Sequence, residues 1–312
     1  MSIKITKTNF KADKLSKIEF INKMHGFHKV LFDFSNSLDN TEISKIEIED
    51  GKVIFTSRKT NFHPGGVKFY VDAIDKRITP IDTFNFDFYE KKDSEILYKL
   101  VSKGDTIFDI GANIGWYSNH LSKKIPTSTI YAFEPIPEIF AQIKRNMELN
   151  QAKNIILNNF AFSDSKQILT FFYSPSITGA SSSVNITANS SMMELKCEAN
   201  TIDNFVKEKN ILKLDFIKCD VEGAEFMVYK GGAETINKYK PIVFTEMLRK
   251  WAAKFGYHPD DIISFFIPYG YNCYTSNKGK LKAIERVTDN TVETNFFFLH
   301  TTKHAEKIKT LS

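Results

Sequence analysis

Two stretches of this chain, Thr106-Ile-Phe-Asp-Ile-Gly-Ala-Asn-Ile-Gly115 and Ile130-Tyr-Ala-Phe-Glu-Pro135, constrain its fold more than any other part. Each opens as a short apolar run of strand length. The first ends in an acid and a glycine turn, the second in an acid followed by proline. Glu134 falls 25 residues after Asp109, room for a strand, a crossover helix and a second parallel strand. The pair therefore predicts a βαβ unit with a ligand site at the carboxyl ends of its strands. At Gly111 no Cβ prevents close approach of the backbone to a ligand. A carboxylate at Glu134 can accept both hydroxyls of a ribose.

The turn lacks the Gly-x-Gly-x-x-Gly spacing that cradles a pyrophosphate. The expected ligand is a nucleoside without a diphosphate, of which S-adenosylmethionine is the common one. An NAD-dependent oxidoreductase is the disfavoured enzymatic alternative, because it needs the missing glycines.

Strand and helix signals alternate from about residue 93 to 245. The pattern predicts strands at Thr106–Ile110, Thr129–Phe133, Asn154–Phe162, Phe216–Asp220 and Pro241–Glu246. Helices are expected over Asp93–Val101 and Asn113–Lys123 and after Pro135, where Ile136, Phe140, Ile143 and Met147 repeat at helical spacing. Ile168–Tyr173 and Leu195–Ala199 read as an antiparallel excursion, with a polar loop or lid at Ser174–Ser183. One further helix, Asp260–Pro268, and strands at Tyr271–Thr275 and Asn295–His300 close the chain. The fold class is α/β, Rossmann-like: a mostly parallel seven-stranded sheet, helices on both faces and a C-terminal antiparallel hairpin. Residues 1–92 are expected to form a small α+β cap with a hairpin turning at Asp50-Gly51. Residues 93–312 are expected to form the binding domain.

Composition sets the class. Of 312 residues 42% are hydrophobic and 25% charged, as in soluble globular proteins. Neither a membrane-spanning run nor a signal peptide is read, and Cys197, Cys219 and Cys273 show no metal or dithiol spacing. A cytoplasmic protein with free thiols is expected. The net charge of +5 is modest for a nucleic-acid partner, so none is expected. A homodimer is kept open. Lys4, Lys7, Lys11 and Lys14 fall at helical spacing, for which a solvated face is the plainer account.

Polar residues at strand ends carry the candidate chemistry. Asp109 can hold an ammonium group or cap the turn. Gly111 and Gly115 can serve the ligand or close packing. Asn113 can cap the first crossover helix and touch the ligand, and Tyr117 points from that helix's first turn. Ser163 and Asp164 end the third strand, where an adenine amino group would need an acceptor, although an Asx turn explains them equally. In Lys218-Cys-Asp-Val-Glu-Gly-Ala-Glu225, alternation puts Lys218 and Asp220 on one side. A lysine in a buried strand needs an acidic partner. Glu246 ends the fifth strand and can face Asp220. Two such acids can hold a divalent cation such as Mg2+ or share the work of a general base. Arg249 and His258 lie beyond, as basic groups that surface exposure would explain.

Taken together these motifs resemble the FkbM family of S-adenosylmethionine-dependent methyltransferases. The likeness rests on Phe108-Asp-Ile-Gly-Ala-Asn-Ile-Gly-Trp-Tyr117, Phe133-Glu-Pro135, Thr201-Ile-Asp-Asn-Phe205, Ile217-Lys-Cys-Asp-Val-Glu-Gly-Ala-Glu225 and Pro241-Ile-Val-Phe-Thr-Glu246. It implies a class I methyltransferase fold and O-methylation of a sugar or a secondary metabolite. On that reading S-adenosylmethionine is held by Asp109, Gly111, Asn113, Gly115, Tyr117, Glu134, Ser163, Asp164 and Asp220. The chemistry then falls to Lys218, Asp220, Glu222 and Glu246, with Glu222 or Glu246 as base. A nucleic-acid methyltransferase and a non-catalytic binding protein on the same fold are the remaining alternatives.

Overall fold

The computed structural model describes residues 2–76, 78–183 and 192–312. Its main sheet has eight strands, numbered here in chain order: β1 Thr106–Ile110, β2 Thr129–Phe133, β3 Ile155–Asn158, β4 Phe216–Cys219, β5 Ile242–Glu246, β6 Tyr271–Asn277, β7 Lys280–Ile284 and β8 Asn295–His300. They lie side by side in the order β7-β6-β8-β5-β4-β1-β2-β3. The strands β1 to β5 are mutually parallel. β8 runs antiparallel to β5, and β6 antiparallel to β8.

The sheet is buried on both faces, which is why its strands read as nearly unbroken apolar runs. Side chains alternate between two cores. Ile107, Ile130, Phe216, Phe244 and Phe297 enter one; Phe108, Phe133, Ile217, Val243, Phe296 and Phe298 enter the other. The register Lys218↔Asp109 and Lys218↔Phe244 puts a charged pair on the first face, at the strand ends.

Three expectations need correction. The sheet has eight strands, not seven. β7 pairs with β6 through a turn at Lys278-Gly279, both at positive φ, so β6 and β7 make the terminal hairpin and β8 slots between β5 and β6. The short run Lys280–Ile284 alternates only weakly because its lysines face solvent at a sheet edge. The third strand is not continuous from Asn154 to Phe162. The Asn159 side chain donates to the carbonyls of Glu134 and Pro135, at 2.8 and 3.0 Å, where the chain leaves the sheet. Ala161–Phe162 then joins a separate four-stranded sheet with Met193–Asn200, Gln167–Ser174 and Ile177–Ser182. The polar stretch 174–183 is thus largely strand rather than loop. Asp75 anchors it by accepting from the Thr178 amide at 2.8 Å and the Thr178 hydroxyl at 2.5 Å.

The N-terminal segment holds helices Ile3–Lys11 and Lys17–Ser37 and a three-stranded sheet, Ile43–Glu49, Lys52–Ser57 and Lys68–Tyr70. The hairpin turns at Asp50-Gly51, as its alternation predicts. Phe62, Val67 and Phe69 share a core with Trp116 and Leu121. Asn146 and Asn150 accept from the amides of Tyr70 and Lys68. That third strand is therefore pinned to the helix Pro137–Leu149.

Candidate active site

A cavity of about 650 Å3 opens over the carboxyl ends of β1, β2, β4 and β5. This is where neighbouring connections diverge to opposite sides of β1, the switch point at which open α/β sheets bind ligands. Residues 78–82, Tyr89 and Glu90 close it from the N-terminal side, and 178–183 from the four-stranded sheet.

Of the residues singled out from sequence, Gly111, Asn113, Tyr117, Glu134, Ser163, Asp164, Lys218, Asp220, Glu222 and Glu246 line this cavity. Asp109 and Gly115 do not. Asp109 lies beneath the wall, 1% exposed, accepting from the Ser118 hydroxyl at 2.5 Å. Its Oδ1 has no hydrogen-bond donor among the described residues; the Lys218 ammonium stands 3.6 Å away. Space beside Gly115 is filled by Ile143 and Asn119, and Gly115 itself caps the helix Trp116–Lys124, so Asn113 does not.

Gly111 has a stricter requirement. It sits at φ +72°, and a Cβ there would lie 1.8 Å from the carbonyl oxygen of Asp220. Gly111→Ala is expected to cost about 2–4 kcal/mol in urea denaturation, from left-handed strain plus displacement of the β4 loop. A variant with the parental midpoint would show that this loop yields freely.

Glu134, 6% exposed, accepts the Asn113 amide on one oxygen (3.1 Å) and the Ile136 amide on the other (3.0 Å). The amides fix the carboxylate, and each oxygen keeps lone-pair capacity toward the cavity. Burial still pushes it up to about 7, against the pull of those amides. The Asn113 Oδ1 is buried without a donor among the described residues.

Lys218 is 4% exposed. Its ammonium donates to the Gly111 carbonyl at 2.9 Å and stands 3.5 Å from Asp220. The expected same-side placement of Lys218 and Asp220 is what the strand shows. Burial alone would lower the lysine; Asp220 and Asp109 overcome it and hold it above its ordinary value. Glu222, at φ +54°, and Glu246 complete the far wall, and oxygens of Asp220, Glu222 and Glu246 lie within 4.8 Å of one another. Burial and the Asp220 charge push Glu222 up to about 9, and the same causes raise Glu246. Glu225 serves the loop: one oxygen accepts the amides of Val221 and Gly223.

Sequence reasoning missed Glu90. Its carboxylate accepts the Tyr117 hydroxyl at 2.5 Å and the Asn295 amide at 3.0 Å, and burial pushes it up to about 7. It precedes a helix in the charged run Tyr89-Glu-Lys-Lys92 and follows no strand, so no local pattern marks it. Arg249 pairs with Asp289, and His258 caps the helix Pro259–Phe266, so both have structural employment.

Among the described lining residues, Glu90, Glu134, Asp220, Glu222 and Glu246 share the cavity with two lysines, Lys218 and Lys250, while Asp164 at the rim stands 3.8 Å from Lys230. Such a cavity favours a ligand that brings positive charge and disfavours a pyrophosphate.

Residues 109–273, just over half of the chain, match the family described as the methyltransferase FkbM domain. The chain belongs to that family, and its strand order is that of a Rossmann-like class I methyltransferase. It is 30% identical over 142 residues to Methyltransferase 1 of Beauveria bassiana, covering 40% of this chain and 57% of that protein. It is 27% identical over 136 residues to the hexuronic acid methyltransferase AglP of Haloferax volcanii (44% and 53%). With the 2-O-methyltransferase NoeI of Sinorhizobium fredii it shares 28% over 165 residues (48% and 66%). The matches thus span between about half and two thirds of these relatives' lengths.

Proposed function

We propose that this methyltransferase transfers the methyl group of S-adenosylmethionine to a hydroxyl of a sugar acceptor. The observation that carries the reading is the surplus of carboxylates over lysines at the strand ends, with Glu134 buried and Glu90, Asp220, Glu222 and Glu246 half-buried. S-adenosylmethionine brings a sulfonium and an ammonium, and it lacks the diphosphate that so acidic a wall would repel. In this reading Glu134 accepts the ribose hydroxyls, the Asn113 side chain finds its missing donor, and Gly111 lets the backbone approach. Ser163 and Asp164 stand near the aromatic wall of Phe160 and Phe162 where a base would pack. Asp109 acts from below, by setting the position of Lys218. Residues 1–92 are read as a cap and 93–312 as the binding domain.

When bound, S-adenosylmethionine supplies a methyl group already activated by positive charge on sulfur. What the chain must add is alignment, which can contribute up to about 7–11 kcal/mol, and a destination for the acceptor's proton. A carboxylate is too weak a base to ionise an alcohol beforehand. It can take the proton as the oxygen–carbon bond forms, which typically adds about 10²–10⁴-fold. Glu222 and Glu246 hold that position; Asp220 orients the acceptor, and Lys218 keeps Asp220 in place. Trp251 and Phe255 offer an apolar wall beside these acids, the mixed lining that a sugar ring suits. The name of AglP, a hexuronic acid methyltransferase, supports a sugar acceptor, and that of NoeI, a 2-O-methyltransferase, supports oxygen as the methylated atom. The acidic wall argues against a nucleic-acid substrate.

A second use of the far wall follows from its geometry. Three carboxylates within 4.8 Å, one more than expected, form an all-oxygen set suited to Mg2+ or another hard divalent cation. Activity lost to a chelator and restored by Mg2+ would favour it.

The test of cofactor binding is calorimetric. Glu134, raised from 4.5 to about 7, is largely protonated at pH 6 in the free protein. A cationic ligand favours the ionised form, so binding should release protons and tighten as pH rises from about 6 to 8. The sign for stability is opposite. The ligand-free fold gains from this raised group fully below about 4.5 and loses that gain as pH climbs through about 7. Affinity that weakens with rising pH, or no binding of S-adenosylmethionine or its demethylated product, would sink the reading.

A further inference from the structure

We infer that the two N-terminal helices dock this protein onto an anionic lipid surface, an inference independent of the methyl-transfer reading. The helix Lys17–Ser37 runs 21 residues and buries none of them. It leaves Ile18, Ile21, Val30, Leu31 and Phe32 more than half exposed, with Phe32 at 64%, and Ile5 of the helix Ile3–Lys11 is 51% exposed. Within the same helices, Phe10 stacks on Phe20 at 4.2 Å, so the pair forms a unit with its own small apolar seam. Isolated exposed apolar side chains are ordinary, but five on one helix that buries none of its residues mark an interaction surface.

Charge decides what covers it. The first 37 residues hold seven lysines and three acids, a net +4 out of the +5 of the whole chain. Lys4, Lys7, Lys11, Lys14, Lys17, Lys23 and Lys29 are all exposed. A second copy of the chain would bring an equally basic segment against this one, and like charges in register oppose association. A nucleic acid would meet the lysines but leave the isoleucines and phenylalanines in water. An anionic bilayer satisfies both features: headgroups attract the lysines while the apolar side chains enter the interface. No helix among the described residues is long and apolar enough to cross a membrane, so the contact is peripheral.

The full chain is to be sedimented with vesicles of phosphatidylcholine alone and of phosphatidylcholine mixed equally with phosphatidylglycerol. Binding to the anionic vesicles should exceed that to the neutral ones by at least about tenfold. It should collapse when salt is raised to about 0.5 M, where charges further apart than a few ångströms are screened. The combined K4E, K7E and K14E variant should lose the preference. Leu31→Ser with Phe32→Ser should weaken binding by about tenfold or more without moving the melting temperature, because both side chains are already in solvent. Equal affinity for both vesicles, no binding, or charge variants that bind like the parent would overturn the proposal. So would light scattering showing a dimer that the Leu31 and Phe32 substitutions dissociate, which would assign the face to a second copy.

Discussion

Glu246→Gln and Glu222→Gln, made separately, are expected to lower methyl transfer while leaving cofactor binding within a few-fold of the parent. The larger of the two losses should reach about 10²–10⁴-fold, the usual contribution of a general base. The substitution keeps the size and hydrogen-bonding capacity of the side chain and removes only its ability to take a proton. Asp220, Glu222 and Glu246 crowd oxygens within 4.8 Å of one another, and burial with mutual repulsion raises both glutamates. Near neutral pH such a pair retains a proton, as like charges in a shared site do. The ionised member is then the base, and its partner, still protonated, steadies it by hydrogen bonding. Removing either disturbs the arrangement, but only the member nearest the acceptor oxygen should abolish the chemical step. Single-turnover rates measured after loading with S-adenosylmethionine separate the two. Full turnover in both variants would reject a carboxylate base, and full turnover with chelator present would reject a metal-held wall.

How much of this was legible in the sequence depends on how local each signal is. Asp109, Glu134, Asp220 and Glu246 each follow an apolar run that the sheet buries on both sides. Period and punctuation therefore located them without tertiary information. The same reasoning overextended the third strand, because Asn159 breaks it with side-chain bonds to carbonyls 24 and 25 residues away. Such bonds leave no trace in a window of ten residues. Glu90 was invisible for a similar reason. What makes it a site residue is Tyr117, Asn295 and the cavity, none of them its neighbours in sequence. The helix Lys17–Ser37 is the opposite case. Its capping box, Ser16-Lys-Ile-Glu19, is plainly written, with both reciprocal bonds present in the structure. Its apolar residues follow no single stripe, so periodicity gives the segment no core-facing side, and in the structure it buries none of its residues.

Lys218→Met should be among the most destabilising single substitutions in this chain, at about 3–5 kcal/mol. For a chain of this size that lowers the melting temperature by roughly 5–8 °C. The reason lies in the accounting of buried charge. Among the described residues the ammonium is the only cation within 4 Å of Asp109, itself 1% exposed, and it also neutralises Asp220 and satisfies the Gly111 carbonyl. Methionine fills the stem's volume but leaves two carboxylates and a carbonyl facing each other with no counter-charge. The double variant Lys218→Met with Asp109→Asn removes one of those carboxylates and should recover a large part of the loss. Replacing both members of a buried pair is commonly far milder than breaking it. A double-mutant cycle on urea midpoints then isolates the coupling. A small coupling, or a Lys218→Met protein as stable as its parent, would mean that the lysine is not what holds the acids together. The role given to Asp109, acting on the cavity through Lys218 from below its floor, would fall with it.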